Sequence, residues 1–385
     1  MAGYLFLLNK ENPESLELCM KTGIYSTVIS KPKGYWGRPH ESTIADYLSM
    51  KAGDNVYFFM DRRIYGIGIL VDINGACKYK NYPLSSTPSS HKYKSIKDGL
   101  LFDSGLGSED LRWLCLFEPY PVFLKDGVDM DELLSSSPEK IRMIRAMQGV
   151  SFIKLDDEEN KAVMDYIVFK NRNKLIDKRY RFSFNKGKHN KIREKASSSY
   201  TLSASEIMDL RVDQNGILGS EYSLECGIIE LLSTGATESS ILGKWDYISR
   251  QVIASPFKPL AYADKMDVFG YRYISGLPDG YNTVSDYLVL ELKKGLADSS
   301  SVEQTLKYVE WIKQEYANGD YSRIKAFLIA GEFDQSANNI LKSSAIRHFT
   351  EGGRSPKTAT WEDLTLLRYR YDHESKKLLL FNHMP

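Results

Sequence analysis

Between residues 287 and 294 the chain alternates as a strand with two differently dressed faces. Leu288, Leu290 and Leu292 fall on one side, and Val289, Glu291 and Lys293 on the other. An acid and a base on one face, two residues apart, are costly in a packed sheet unless partners or a metal offset them. Asp267 closes an earlier β-like run and is expected at the same end of the sheet. Downstream, a helical period predicts that Gln304 and Tyr308 share one face, while Val302, Leu306, Val309 and Tyr316 form the apolar one.

The remaining pattern predicts the following elements. Residues 4–8 begin a buried strand, and 13–21 show helical spacing through Leu16, Cys19 and Met20, with a turn at Gly23. A Pro/Gly loop over 30–42 sets Tyr35 and Trp36 beside Arg38 and His40, and a short helix follows over 43–50. Strands at 51–60 and 64–73 meet at a corner at Arg62-Arg63. The polar, Pro- and Ser-containing run 78–95 reads as a surface loop, which leaves His40 and His91 in loops without a spaced partner. Residues 111–124 return to strand character, with Pro119 and Pro121 marking an edge. A polar helix pair is expected over 129–147 and a flexible connection over 197–205. A helix over 219–232 carries Leu224, Ile228, Leu231 and Leu232 on one face, and Glu221 and Glu225 four apart. A core strand at 325–331 and a hairpin turning at 372–376 complete the chain.

At 385 residues the chain is too long for one ordinary core, and two domains with a connector are expected. Apolar content of 42% and charged content of 26% are those of a soluble globular protein. No run reaches the length of a membrane span and no signal peptide precedes the fold, so a cytoplasmic protein without membrane partners is expected. The four cysteines lack zinc-site spacing and read as small buried apolar residues. Net charge is only +1, yet residues 172–195 hold ten Lys and Arg against two acids. The rest of the chain then carries 41 basic and 48 acidic residues. Positive charge concentrated in this way marks either a phosphate-contacting surface or a solvated linker, with Lys186, Lys188, Lys191 and Arg193 as DNA-backbone candidates.

Phosphodiester hydrolysis needs the residue set around 267–308. It requires a divalent metal held by carboxylates, and a cation near the attacking water and scissile phosphate. Asp267 and Glu291 are the carboxylate ligands expected for Mg²⁺ or Mn²⁺, the Leu292 carbonyl is a third, and Lys293 is expected to orient and help deprotonate the water. These residues resemble the PD-(D/E)xK nuclease core, with Asp267 as its Asp and Glu291-Leu292-Lys293 as its ExK. Gln304 and Tyr308 resemble the QxxxY helix of a subset of that superfamily, and the run VLELKKG…VEQTLKYVEW is similar to the C-terminal domain of NucS/EndoMS endonucleases. By that resemblance the helical Glu that joins the metal site is Glu225, with Glu221 as its rival.

The stretches YLFLLNKEN, GIYST, AGDNVYFF and YGIGILVDI, with 151–167 closing the domain, resemble EVE/YTH-like members of the PUA superfamily. The resemblance implies a mixed β-barrel whose aromatic cage binds a modified base. Where YTH proteins carry a Trp after the first helix, this chain has Tyr25. Base-reading candidates are Tyr25, Tyr35 and Trp36, and more loosely Trp113.

The expected architecture is α+β or α/β in two domains. A PUA-like reader occupies 1–170, a basic connector 171–204, and a restriction-endonuclease-like mixed sheet flanked by helices 205–385. The expected function is metal-dependent DNA cleavage, in modification-dependent restriction or anti-phage defence. The alternatives are a structure-directed nuclease of NucS type, or a binding protein without catalysis. A homodimer is expected because double-strand cleavage needs two active sites.

Overall fold

The computed structural model describes the chain apart from residues 13, 106, 147–150, 236, 255–263, 279–281, 353 and 384–385, and only the backbone of 145–146 and 237–239. Pro13, at the expected start of the first helix, and position 147, at the end of the expected helix pair, lie outside the described residues. The chain divides into two compact units, residues 1–203 and 204–385.

The first unit is built on eight strands: β1 (Gly3–Leu7), β2 (Ile24–Val28), β3 (Asn55–Met60), β4 (Arg63–Leu70), β5 (Lys78–Lys80), β6 (Leu111–Pro119), β7 (Val128–Asp129) and β8 (Phe152–Leu155). Six follow the order β2-β6-β4-β3-β1-β8 in one mixed sheet, with β5 paired to β6 and β7 to β4. Its helices are α1 (Glu14–Thr22), α2 (Arg38–Ser49), α3 (Tyr93–Ile96), α4 (Met130–Ser136), α5 (Asp157–Asn171) and α6 (Gly187–Lys195). The β3–β4 corner forms at Asp61 and Arg62, both with positive φ, the backbone that a tight two-residue hairpin requires. An aromatic cluster fills one side of the sheet, with Phe6 stacked on Tyr25 at 4.1 Å and edge-on to Phe152 at 5.7 Å.

Several expectations are corrected in this unit. Trp36 does not project from its loop: it is 1% exposed, its Nε1 donates to the Ser86 carbonyl at 2.9 Å, and its ring lies 5.5 Å from Trp113. The cause is the polar run after β5, which keeps Pro83, Leu84, Ser89 and Ser90 on the surface but packs Asn81, Tyr82, Ser85 and Ser86 inward. The buried Arg112 guanidinium donates to the carbonyls of Ser85, Thr87 and Ser89, and the Asn81 amide donates to those of Phe102 and Leu111. Backbone carbonyls that would otherwise need water are thereby satisfied inside, and the segment closes over the indole. His40 is helical as well, its Nδ1 accepting the Gly37 N–H at the start of α2. β6 is not an edge, because β2 and β4 flank it and Pro119 faces Gly68 at the strand end.

The basic stretch after α5 packs on this unit. His189 bonds the Gly23 carbonyl through Nε2 at 2.9 Å, Ile192 is fully buried, and Lys195 donates to the carbonyls of Asp98 and Leu100. Tyr200 and Leu202, in the stretch expected to be a flexible connection, are each only 6% exposed.

The second unit carries β9 (Tyr247–Ile253), β10 (Lys265–Tyr273), β11 (Val284–Ala297), β12 (Ile324–Phe333), β13 (Arg347–Glu351), β14 (Lys357–Trp361), β15 (Leu364–Asp372) and β16 (Lys377–Asn382). Six make a mixed sheet in the order β16-β15-β12-β11-β10-β9, parallel across β11-β12-β15, while β13 and β14 pair separately. The β15–β16 hairpin turns at 372–376, as the pattern predicts. Helices α7 (Ser205–Met208), α8 (Glu221–Thr234), α9 (Ser299–Glu315) and α10 (Gln335–Ser344) complete it. α8 starts at the Ser220 cap and stops at Gly235, whose φ of +62° suits a residue without Cβ. Both α8 and α9 pack on β11, the strand predicted from the Leu288–Lys293 alternation. Among the described residues no helix is long and apolar enough to cross a membrane.

Because Trp36 fills core, Trp36→Ala is expected to cost about 3–5 kcal/mol, measured as a shift in the urea unfolding midpoint of the full chain. A loss below about 1 kcal/mol would return the side chain to the surface.

Candidate active site

The site is set by strand register. β10 and β11 pair antiparallel with Val268 opposite Leu290, and the next step outward brings Asp267 level with Glu291. There the Leu292 N–H is taken by Asp267 Oδ2 at 2.8 Å, so the carboxylate pins the main chain of the neighbouring strand. Lys293 Nζ lies 2.7 Å from Glu291 Oε1 and 3.5 Å from Gln304 Oε1. Gln304 Nε2 donates to the Tyr308 hydroxyl at 2.8 Å, and that hydroxyl donates to the Lys265 carbonyl at 2.9 Å. The i,i+4 pair on α9 thus ties the helix to β10 two residues before Asp267, and positions Lys293.

From the other side comes α8. Glu225 pairs with Arg250 at 2.8 Å, and Gln251 Nε2 bridges Glu225 Oε1 at 3.3 Å and Asp267 Oδ1 at 3.0 Å. Gln251 has φ +52°, a left-handed backbone that costs a side-chain-bearing residue about 1–3 kcal/mol. The network compensates by holding its amide between two carboxylates. Glu225, Asp267, Glu291, Lys293, Gln304 and Tyr308 therefore belong to one connected cluster. Glu221 is exposed at the first turn of α8 and reaches Glu291 and Lys293 only through its field.

Three acids share this region with Arg250 and Lys293. Burial first, then Glu291 and Glu225, pushes the Asp267 carboxyl well above its ordinary value. Burial likewise raises Glu291, against the opposing pull of Lys293. Burial alone would lower Lys293, but Glu291, with Glu221 and Asp267 behind it, raises it, so the ammonium keeps its proton. Glu291 is 2% exposed, and its Oε2 meets no donor other than the Asp267 carboxyl when that is protonated. A buried carboxylate oxygen without a donor is costly.

A hard divalent cation fits that orphaned oxygen. Asp267, Glu291 and the Leu292 carbonyl would hold it, an all-oxygen set suited to Mg²⁺ or Mn²⁺. Among the described residues no three Asp, Glu, His or Cys side chains converge as a ready cage. Mg²⁺ does not demand one, since it commonly uses one or two carboxylates and leaves its other positions to water and substrate phosphate.

No family model matches the chain. Over 117 residues it is 30% identical to Endonuclease NucS of Pyrococcus horikoshii, covering 30% of this chain and 42% of that protein. Among solved structures it is similar to a repair endonuclease from Pyrococcus abyssi, at 26% identity over 31% of this chain and 43% of that one, with a TM-score of 0.22. It is also similar to an EndoMS-dsDNA2 complex, at 26% identity over 24% and 30% of the two chains and a TM-score of 0.16. The similarity is to part of NucS. The chain spans less than half the length of these relatives, and at such TM-scores the sequence match alone carries weight.

Arg250 and Gln251 are site residues that the sequence pattern did not single out. The available signal was an adjacent Arg-Gln pair inside an otherwise strand-like run, a polar interruption with no helical or turn reason. The base-reading candidates divide: Tyr35 is 57% exposed, whereas Tyr25 and Trp36 are covered at 3% and 1%. Of the backbone candidates, Lys186 pairs with Glu118 at 3.0 Å, and Lys188, Lys191 and Arg193 line the exposed side of α6.

An acid with a raised folded-state pKa contributes stability below its unfolded value of about 3.9, and loses it as pH rises through the folded one. Asp267→Asn is therefore expected to raise the melting temperature of the metal-free protein, by more at pH 8 than at pH 5. An advantage that is flat or shrinking with pH would show that Asp267 is not held under charge repulsion.

Proposed function

We propose that this chain is a metal-dependent DNA endonuclease. The observation that carries the reading is the half-buried Asp267 beside the buried Glu291, with one Glu291 oxygen on Lys293 and the other meeting no donor except a protonated Asp267 carboxyl. The partial similarity to endonuclease NucS supports DNA as the substrate. A bound Mg²⁺ or Mn²⁺ would supply a water of lowered pKa and neutralise charge on the phosphoryl oxygens. Asp267 holds the Leu292 amide and so fixes the strand that presents Glu291 and Lys293. Lys293, protonated and held between Glu291 and Gln304, orients the attacking water and stabilises the negative charge that develops on the phosphate. In this reading it acts as a positioning cation, kept protonated by the acids around it. Gln304 and Tyr308 hold it in place, while Arg250 and Gln251 hold Glu225 and Asp267.

The finer reading is modification-dependent restriction or anti-phage defence. The first unit would read a modified base through Tyr35, and Lys188, Lys191 and Arg193 would follow the phosphates. A second reading, structure-directed cutting by a homodimer, is favoured by the NucS similarity and by the covered rings of Tyr25 and Trp36.

Plasmid and oligonucleotide duplexes differing only in base modification, mismatch or flap, incubated with Mg²⁺ or Mn²⁺, test both readings. Asp267→Ala and Glu291→Ala are expected to lower cleavage more than about 100-fold. Both should abolish the metal-dependent gain in stability, about 2.7 kcal/mol at 100 times Kd for the wild type. Lys293→Ala should lose cleavage and keep that gain. Preference for modified DNA that Tyr35→Ala removes identifies the restriction reading, and preference for mismatch or flap the second. Full activity in the Asp267/Glu291 double variant would reject the site.

A further inference from the structure

Beside its six-stranded sheet the second unit carries a separate two-stranded ribbon that the site described above does not use. β13 and β14 pair antiparallel with each other, with Arg347 opposite Trp361, His348 opposite Thr360, Phe349 opposite Ala359, Thr350 opposite Thr358 and Glu351 opposite Lys357. A period of two divides these pairs between two faces. Arg347, Phe349, Glu351, Lys357, Ala359 and Trp361 form the face that rests on the unit. The Trp361 indole is 2% exposed and donates to the Ile324 carbonyl at 2.9 Å. The Phe349 ring centre lies 5.6 Å from that of Tyr321, and Arg347 Nε donates to Glu310 Oε1 at 2.8 Å. A two-stranded hairpin is marginal in water on its own, and these three anchors hold it in place.

The opposite face consists of His348, Thr350, Thr358 and Thr360, and all four are exposed. His348 Nδ1 lies 3.2 Å from the Thr360 hydroxyl across the strands. This face offers hydroxyl and imidazole groups that both donate and accept, three threonine methyls, and no carboxylate. The ribbon's one acid, Glu351, falls on the packed face, while Arg354 and Lys357 stand exposed at the outer end. Such a surface matches base edges, where threonine hydroxyls meet donors and acceptors alike and threonine methyls meet the thymine methyl. Two strands about 4.8 Å apart fit a major groove about 12 Å wide, and five residues reach about 17 Å along it. The ribbon is also tied to the reacting cluster. Glu310, which holds Arg347, lies on α9 about 9 Å along the helix axis from Gln304, the partner of Lys293. That distance is well inside one duplex turn of about 34 Å.

We infer that the β13–β14 ribbon enters the major groove of duplex DNA, with His348, Thr350, Thr358 and Thr360 against base edges and Arg354 and Lys357 on the flanking phosphates. The inference rests on the nuclease reading above and deepens it by naming the element that touches bases near the cut. Phosphate contacts fix the register on any duplex, and contacts to base edges choose among sequences. Charge favours DNA as the occupant: the outer end of the ribbon is cationic, and a second copy of the chain would present the same cations with no acid on this face.

The test uses the full chain and its best-bound duplex oligonucleotide, with Ca²⁺ in place of Mg²⁺ so that binding is read without cutting. Guanines methylated at N7, an atom that the major groove exposes, should weaken the wild type in one patch of about five base pairs. In T350A/T358A that patch should vanish and affinity should fall about tenfold, with the salt slope and melting temperature of the wild type. T350S/T358S keeps the hydroxyls and should restore part of the affinity. R354A/K357A should reduce the slope of log K against log salt by about 1.8, or about 0.9 per lost phosphate contact. No N7 interference in the wild type, or the same pattern and affinity in T350A/T358A, overturns the inference. So does a ribbon variant that binds DNA as the wild type does but changes the mass of the protein in solution, since the face would then meet a second copy. If the patch is present and lost in the variant, yet the wild type cuts nothing with Mg²⁺ or Mn²⁺, the groove contact stands and the nuclease reading fails. If the wild type cuts and both alanine variants bind as well as it does, the nuclease reading stands and the groove contact fails.

Discussion

Everything at the candidate site depends on the divided Glu291 carboxylate. One oxygen is bound to Lys293, and the other is buried with no donor but a protonated Asp267. A strand at the centre of a six-stranded sheet does not keep such a group for stability, because breaking or half-satisfying a buried ion pair costs several kcal/mol. Asp267 makes the cost larger, since burial and its neighbours resist its ionisation. The rest of the second unit is arranged to bear that cost. β10 brings Asp267 level with Glu291, α9 pins Lys293 through Gln304 and Tyr308, and β9 with α8 holds the far side through Gln251 and Arg250.

The same constraint explains why the residues act as a unit. Lys293 keeps its proton because it faces more than one acid, so it serves as a fixed positive charge at the point where a phosphate would gain negative charge. Gln251 is held in a strained backbone conformation between two carboxylates, which preorganises both before any ligand arrives.

How much of this was legible in the sequence follows from the range of each interaction. Period-2 alternation and i,i+4 spacing are local, and they put Glu291 and Lys293 on one face of β11 and Gln304 and Tyr308 on one face of α9; joining the two pairs came from the resemblance to the PD-(D/E)xK core and its QxxxY helix. Arg250 and Gln251 enter only through the pairing of β9 with β10, which no local pattern encodes. Trp36 was misread for a related reason. The segment that covers it is polar by composition, and it packs inward only because Arg112, some 25 residues later in the chain, collects its carbonyls. The run 172–195 reads as a solvated charge stretch unless His189 and Ile192, three apart on one face of α6, are taken as anchors.

The central claim is that Asp267 and Glu291 form a strained acid pair relieved by a divalent cation. Calorimetric titration of the protein with Mg²⁺ or Mn²⁺ near neutral pH, in buffers of different ionisation enthalpy, reads it directly. Ligand carboxyls with raised pKa values must give up protons when a metal binds. The account predicts binding with net proton release, and a smaller or vanishing release in Asp267→Asn. Binding without any proton release, or no binding at all, would contradict it.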